Sequence, residues 1–150
     1  MYRFIEVDGS EAAEVLRSMN ALCPEIFPPL SDDHLELGWW WLLKANPNIL
    51  CGFAGMVPFE PFPGVGYLKR AYISPDYRGH GLQLRMIEAR EEKAREIGWH
   101  LLVSETNCTF SARNFERAGF ERCEPEQPWA GSAIYFVKRL HRQNVVEKSA

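Results

Sequence analysis

The sequence lacks the features that mark membrane-spanning and nucleic-acid-binding proteins. It contains no run of roughly 18 apolar residues, the length that a membrane-spanning helix requires. It has no excess of positive charge either, because 17 Lys and Arg residues stand against 20 Asp and Glu residues, a formal net charge of -3. Proteins that bind nucleic acid by neutralising phosphates need the opposite balance. We therefore expect this chain to bind neither nucleic acid nor a membrane.

Cysteine is scarce, and its spacing is uninformative. The four residues Cys23, Cys51, Cys108 and Cys123 form no C-x-x-C pair. This pattern favours buried or idle thiols in a reducing compartment over a metal site. The N-terminal segment alternates apolar and polar residues and carries Glu6, which is typical of a strand and not of a signal peptide. We accordingly expect a cytoplasmic protein.

What the sequence does contain suits one globular domain. It has 150 residues, of which 46% are hydrophobic and 25% charged. We predict a single domain over residues 1–141 and a flexible tail over 142–150.

Strand-like and helix-like segments alternate along the chain. Ser10 is the expected N-cap of a first helix that ends near Asn20, and Ser31 opens a second that is expected to continue through the Trp39–Leu43 run. Further strands are expected at 2–7, 49–57, 67–73, 100–106, 120–123 and 133–140, and further helices at 81–97 and 111–118. This order predicts an α/β (α+β) fold, with a mixed sheet and helices on both faces.

The tryptophan run and the charged residues of the long helix predict which side chains are buried and which are exposed. Core packing explains most of the Trp39–Trp41 run, although it and Trp129 also suit the wall of a substrate groove. On the long helix, Arg90 and Glu91 belong to a charged face expected to contact solvent, with Glu91 paired to Arg95 four residues on.

The most informative segment runs from Ile73 to Gln83. Pro75 ends the strand, and Gly79 and Gly81 allow a tight turn before a helix begins. A helix N-terminus attracts anions through its backbone N–H groups and its dipole, and Arg78 adds a fixed positive charge. The segment is neither a dinucleotide fingerprint nor a Walker loop, since the third glycine and the Gly-Lys-Ser/Thr ending are missing.

The segment resembles motif A of the GNAT N-acetyltransferase superfamily, Gln/Arg-x-x-Gly-x-Gly/Ala. Arg78 and Gly81 match the motif, while Gln83 replaces a small residue. A downstream segment, residues 111–120, resembles the family's Asn-x-x-Ala/Ser-x-x-x-Tyr-Glu-x-x-Gly-Phe. There the family Asn falls on Cys108, one residue after Asn107, and the family Tyr falls on Phe115. The resemblance extends over about residues 2–140.

The resemblance implies a largely antiparallel sheet whose two central parallel strands, 67–73 and 100–106, splay apart to admit acetyl-CoA as co-substrate. The pantetheine amides would pair with the strand backbone and the pyrophosphate would bind the loop amides. The cofactor-binding residues implied in this way are Ala71, Tyr72, Ile73, Arg78, Gly79, His80, Gly81, Leu82, Gln83, Asn107, Asn114 and Phe115.

The resemblance also implies direct acetyl transfer to a primary amine of a small molecule or peptide. The strand position where the family often has a glutamate falls near Tyr67, a poor base near neutral pH, so Glu105 on the neighbouring strand is the better candidate. Phe115 cannot protonate the thiolate as the family Tyr does, and Tyr135 or Tyr72 could replace it.

Alternatives to this reading stay open. Glu105 could be an ordinary exposed carboxylate, and water relayed by backbone carbonyls could remove the proton instead. The domain could be a catalytically idle acyl-CoA-binding or assembly module, or a regulatory domain for another nucleotide. The chain could form a homodimer. The sequence does not identify the acceptor.

Overall fold

The structure, a computed structural model, describes residues 1–24, 26–132 and 134–140. Within them lie the α-helices α1 (Ala13–Asn20), α2 (Asp32–Leu37), α3 (Leu82–Ile97) and α4 (Thr109–Arg117), and a short 3₁₀ helix at Pro75–Tyr77. The strands are β1 (Tyr2–Val7), β2 (Trp39–Ala45), β3 (Ile49–Pro58), β4 (Val65–Ile73), β5 (Leu101–Thr106), β6 (Glu121–Cys123) and β7 (Ile134–Arg139). The predicted tail, 142–150, lies outside the described residues.

The seven strands follow the order β1-β2-β3-β4-β5-β7-β6. The sheet is mostly antiparallel, and β4 and β5 form its parallel pair, so the predicted mixed sheet is confirmed. The parallel register covers three residue pairs and ends at Tyr67 opposite Val103. Strand β5, by contrast, pairs with β7 from Leu101 to Thr106, over its whole length. The antiparallel partner therefore holds β5 more extensively than the parallel one does.

Residue contacts divide the chain into two compact units. The first comprises Met1–Val57 and Lys69–Met86, and the second comprises Pro58–Leu68 and the described residues from Ile87 onward. Strand β4 and helix α3 each begin in one unit and continue into the other. The expectation of a single domain over 1–141 stays a prediction.

Strand β2 corrects the predicted second helix. Helix α2 ends at Leu37, and the apolar run that follows is a strand paired with β1 and β3. An interior strand buries both faces, so its sequence reads as a continuous apolar stretch that periodicity cannot distinguish from a buried helix. Trp40 is fully buried, lies opposite Gly55, and donates its indole N–H to the carbonyl of His34. This part of the tryptophan run is core.

The predicted N-cap is correct for α2 and wrong for α1. Ser31 caps α2 as predicted, since its hydroxyl accepts the backbone N–H of His34. Ser10 does not cap α1, whose N-cap is Ala12. The carboxylate of Asp8 accepts the amides of Ser10 and Glu11 instead. A turn centred on Asp8 thus comes before the helix and delays its start.

Two charged residues of α3 are buried, contrary to the expected solvated face. Arg90 and Glu91 are 2% and 7% exposed. Glu91 forms the predicted pair with Arg95 at 2.6 Å and a second pair with Lys138 of β7 at 2.8 Å. Desolvation lowers the pKa of Arg90 to about 9, so the side chain is still a cation at neutral pH. A buried charge is tolerated where it is paired with an opposite charge. The periodicity of the helix sequence does not show such a partner when it lies on another element.

The structure shows the state of the cysteines and the character of the helices. All four cysteines are free thiols: Cys51 is buried, Cys108 is exposed, and Cys23 and Cys123 are intermediate. Burial raises the pKa of the Cys51 thiol. Among the described helices, none has both the length and the apolar character to cross a membrane.

A buried polar contact ties β4 to the segment between α1 and α2. Asn20 is 4% exposed, accepts a hydrogen bond from Arg70 Nε at 2.8 Å and donates one to the carbonyl of Pro28 at 3.0 Å. Arg70 also donates to Pro28 O at 2.9 Å, and its guanidinium lies 5.2 Å from the ring centre of Phe27. The charge and the amide together hold this segment against the strand.

Replacing Asn20 with Ala is expected to lower the free energy of unfolding by about 1–3 kcal/mol, because buried hydrogen-bonding groups lose their partner. Chemical denaturation of the two proteins measures the difference. Ser18→Ala, an exposed change on the same helix, is the control and should stay within about 0.5 kcal/mol. An equal loss in both variants would contradict the importance of the Asn20 contact.

Candidate functional site

The predicted phosphate loop begins where β4 ends. After Ile73, the amide of Ser74 donates to the carbonyl of Cys51 at 2.8 Å, and Pro75 starts the 3₁₀ helix. The first backbone hydrogen bond of α3 runs from Arg85 N to Gly81 O. In any α-helix the N–H groups ahead of that bond have no acceptor within the helix. The turn between the two helices is thus positioned for an anion.

Gly79 and Gly81 adopt left-handed backbone conformations, with φ of 89° and 71°. A Cβ added to either residue would meet no atom of the described residues within 4 Å. The two glycines are therefore required by backbone geometry and not by crowding, and the space beside them is open. An open turn with left-handed glycines at a helix start resembles the backbone arrangements that bind phosphate.

Charged and aromatic side chains border this loop. Arg78 donates its Nε–H to the carbonyl of Ile73 at 2.7 Å, and its guanidinium lies 5.7 Å from the ring centre of Tyr72. The side chain itself is exposed. Since guanidinium has five N–H donors, the Nε bond orients the group and leaves donors at its far end. The ring of His80 lies 5.9 Å from that of Tyr2, as an exposed neighbour of the glycines.

Strand β4 contains a feature that sequence reasoning missed. Arg70 has a φ of 61°, a left-handed conformation that costs a non-glycine residue about 1–2 kcal/mol. Its contacts to Asn20 and Pro28 hold the side chain in place. Between Arg70 and the loop lie three of the predicted cofactor-binding residues, Ala71, Tyr72 and Ile73. Glycine, or less often Asn or Asp, indicates such a conformation in a sequence, and an arginine does not.

In the second unit, the carboxylate of Glu105 accepts hydrogen bonds from two aromatic side chains. Tyr67 Oη donates to Oε2 at 2.6 Å, and Trp129 Nε1 donates to Oε1 at 2.7 Å. Tyr135 faces Glu105 across the β5–β7 ladder and donates its hydroxyl to the carbonyl of Ala130. The three predicted catalytic residues are thus neighbours. Because a carboxylate has about four acceptor positions, Glu105 can accept further donors.

Glu105 is half-buried, as are the side chains of Tyr67 and Trp129. The two bonds come from different segments, β4 and the loop before β7, and fix both oxygens of the carboxylate. An oriented carboxylate that solvent still reaches can take a proton from, or pair with, a cationic group brought to it.

The remaining predicted cofactor residues lie near α4 of the second unit. Asn107 is exposed before the helix, while Asn114 and Phe115 are buried. The amide of Asn114 donates to the carbonyl of Phe110 at 3.3 Å. The ring of Phe115 lies 5.2 Å from Phe120 and 5.1 Å from Phe136, so it packs in the core. Their assignment to the cofactor stays a prediction.

A model of the Acetyltransferase (GNAT) family matches residues 12–120, which include both the loop and Glu105. No curated protein matches the sequence.

Several solved structures share the fold. An acetyltransferase of the GNAT family from Staphylococcus aureus Mu50 has 15% identity and a TM-score of 0.73, over 94% of this chain and 100% of that one. N-acetylglutamate synthase from Neisseria gonorrhoeae, complexed with coenzyme A and N-acetyl-glutamate, has 20% identity and a TM-score of 0.73, over 93% of this chain and 36% of that one. A Salmonella typhimurium structure with its cofactor acetyl-CoA has 15% identity and a TM-score of 0.70, over 95% of each chain.

The conformation of the loop can be tested by giving each left-handed glycine a side chain. Gly79→Ala and Gly81→Ala should each lower the free energy of unfolding by about 1 kcal/mol, since the added Cβ is strained by the positive φ although it meets no neighbour. Gly131→Ala is the matched control, because its Cβ also enters open space and its φ lies outside the left-handed region. Equal stability of all three variants would contradict the left-handed turn.

Proposed function

Because the chain belongs to the GNAT acetyltransferase family, we propose that it transfers an acetyl group from acetyl-CoA directly to a primary amine. The observation that carries the proposal is the turn at Gly79 and Gly81, whose left-handed residues stand at the start of a sixteen-residue helix. Its open space, its backbone amides and the tethered Arg78 suit a pyrophosphate group.

In this proposal the cofactor follows strand β4. The pantetheine arm is an extended chain with two amides, which can pair with the backbone of Ala71, Tyr72 and Ile73 as an added strand would. With the pyrophosphate on the loop, the arm extends from the loop back along β4.

Glu105 then takes the role of general base. The acceptor must lose a proton to attack, because only a neutral amine carries a nucleophilic lone pair. Glu105 takes this first proton from the ammonium and passes it to solvent. The neutral amine then forms the C–N bond at the thioester carbonyl, the C–S bond breaks, and the second proton leaves nitrogen for Glu105. Tyr67 and Trp129 keep the carboxylate oriented throughout.

The leaving thiolate needs little help. A thiol with a pKa of about 8.5 departs readily as an anion, and it can be protonated by solvent or by the Tyr135 hydroxyl. Phe115 has no proton to give and is packed between Phe120 and Phe136. This substitution supports the second candidate, a domain that binds acyl-CoA without turning it over.

Acetyl-CoA at about a hundred times its dissociation constant should raise the melting temperature by about 5 °C or more, because the ligand binds the folded state alone. Gly81→Glu should abolish the shift, since a carboxylate would occupy the anion site. Gly98→Glu is the matched control: Gly98 also has a positive φ and open space, at the far end of α3. Absence of any shift in the unaltered protein at millimolar acetyl-CoA would refute cofactor binding.

Glu105→Gln should lower kcat by about 10²–10⁴-fold while leaving the acetyl-CoA shift unchanged. The amide can keep both contacts, since its oxygen accepts from Trp129 and its nitrogen can donate to the Tyr67 hydroxyl. Glu92→Gln, an exposed carboxylate on α3, is the control. Full activity of Glu105→Gln would remove Glu105 from the mechanism, and no turnover of any amine by the unaltered protein would favour the non-catalytic candidate.

A further inference from the structure

Five aromatic side chains form a connected group beside Glu105 in the second unit. Phe59 lies 5.7 Å from Tyr67 and 5.4 Å from Trp129, with edge-to-face geometry in both pairs. Trp129 in turn lies 4.7 Å from Tyr135. Phe62 stacks on Phe59 at 5.7 Å and is 56% exposed. We call these five rings the aromatic cluster.

The aromatic cluster joins two loops to the carboxylate. Phe59 and Phe62 belong to the loop between β3 and β4, and Trp129 belongs to the loop between β6 and β7. The contact between Phe59 and Trp129 connects the loops, and the indole N–H of Trp129 connects them to Glu105. Tyr67 and Trp129 thus hydrogen-bond Glu105 directly, and Phe59 packs against both of those rings.

The same two loops contain acidic residues and no basic ones. Residues 58–66 include Glu60, and residues 124–132 include Glu124 and Glu126, while neither segment contains Lys or Arg. All three glutamates are exposed. Together with Glu105 they favour a cation and repel an anion.

We propose that the acceptor is a monocationic amine on an aromatic body that lacks a carboxylate. The ammonium group pairs with the acceptor positions of Glu105 that Tyr67 and Trp129 leave open, and ring faces of the aromatic cluster attract the same charge. The apolar body contacts Phe59 and Phe62. This inference rests on the proposed function, and it names the acceptor class for that activity.

A carboxylate on the acceptor is disfavoured for a specific reason. In an α-amino acid, the carboxylate carbon is two bonds away from the amine nitrogen. An ammonium group bound to Glu105 therefore brings the acceptor's own carboxylate close to that glutamate. The loops supply no Lys or Arg to compensate. The matching amine without the carboxylate meets no such repulsion.

Three probes separate these contributions. 2-Phenylethylamine, phenylalanine and ethylamine differ by a carboxylate or by an aromatic ring, and calorimetry with CoA present measures their binding without requiring turnover. We expect 2-phenylethylamine to bind about tenfold or more tightly than each of the other two. Equal or tighter binding of phenylalanine would overturn the charge selection. Equal binding of ethylamine, or no amine binding at millimolar concentration, would overturn the role of the aromatic cluster.

Two variants identify the residues responsible. Glu105→Gln should reduce the preference for 2-phenylethylamine over phenylalanine to within about threefold, while Glu92→Gln should retain it. Phe59→Leu keeps apolar volume but removes a ring face, and it should raise the KM for 2-phenylethylamine while changing kcat little. An unchanged preference in Glu105→Gln, or an unchanged KM in Phe59→Leu, would contradict the assignment.

The acetyl-CoA melting shift, measured on the same samples, separates this inference from the proposed function. A protein that binds and turns over acetyl-CoA but prefers phenylalanine refutes the acceptor class alone. A protein with no acetyl-CoA shift that still selects 2-phenylethylamine refutes the acetyl transfer and keeps the amine site.

Discussion

The two hydrogen bonds on Glu105 tie three segments of the second unit to one carboxylate. Tyr67 brings β4, Trp129 brings the loop before β7, and Glu105 itself belongs to β5. Without those donors, an acidic side chain on a strand would sample several rotamers and solvate itself. With them, both oxygens have defined directions, and the space that remains around them defines where a further donor can bind. The aromatic packing of Phe59 against Trp129 and Tyr67 depends on the same arrangement.

Strand β4 connects this carboxylate to the phosphate loop along the chain. Its first residues pair in parallel with β5 and end that pairing at Tyr67. Arg70 then takes a left-handed conformation and anchors its side chain on Asn20 and Pro28. Strain of this kind persists only where surrounding contacts impose it, and it is concentrated at functional sites. These contacts of Arg70 supply that constraint, immediately before the segment proposed to pair with pantetheine.

The sequence predicted those parts of the fold that depend on local chemistry. The glycines of the phosphate loop were recognisable because a tight left-handed turn before a helix requires them, and the cap at Ser31 because a hydroxyl there satisfies a backbone amide. Strand β2 was not recognisable, because a strand buried on both faces has no alternation to detect. The burial of Arg90 and Glu91 also escaped, since the partner of Glu91, Lys138, comes from a strand 47 residues away. The candidate site follows the same division: the sequence nominates Glu105 and Tyr67 as catalytic candidates, but their hydrogen bond and the φ of Arg70 depend on tertiary packing.

Phe115 shows how the proposed chemistry tolerates a change in the family pattern. The ring has exchanged a hydroxyl for packing against Phe120 and Phe136, which favours the stability of the core. The cost to catalysis is set by the leaving group and not by the lost donor, because a thiolate is a stable anion near neutral pH. Proton removal from an ammonium is the more demanding step, since an amine with a pKa near that of lysine is almost wholly protonated there. In the proposed mechanism, Glu105 therefore supplies the more demanding proton transfer, while solvent or the Tyr135 hydroxyl protonates the thiolate.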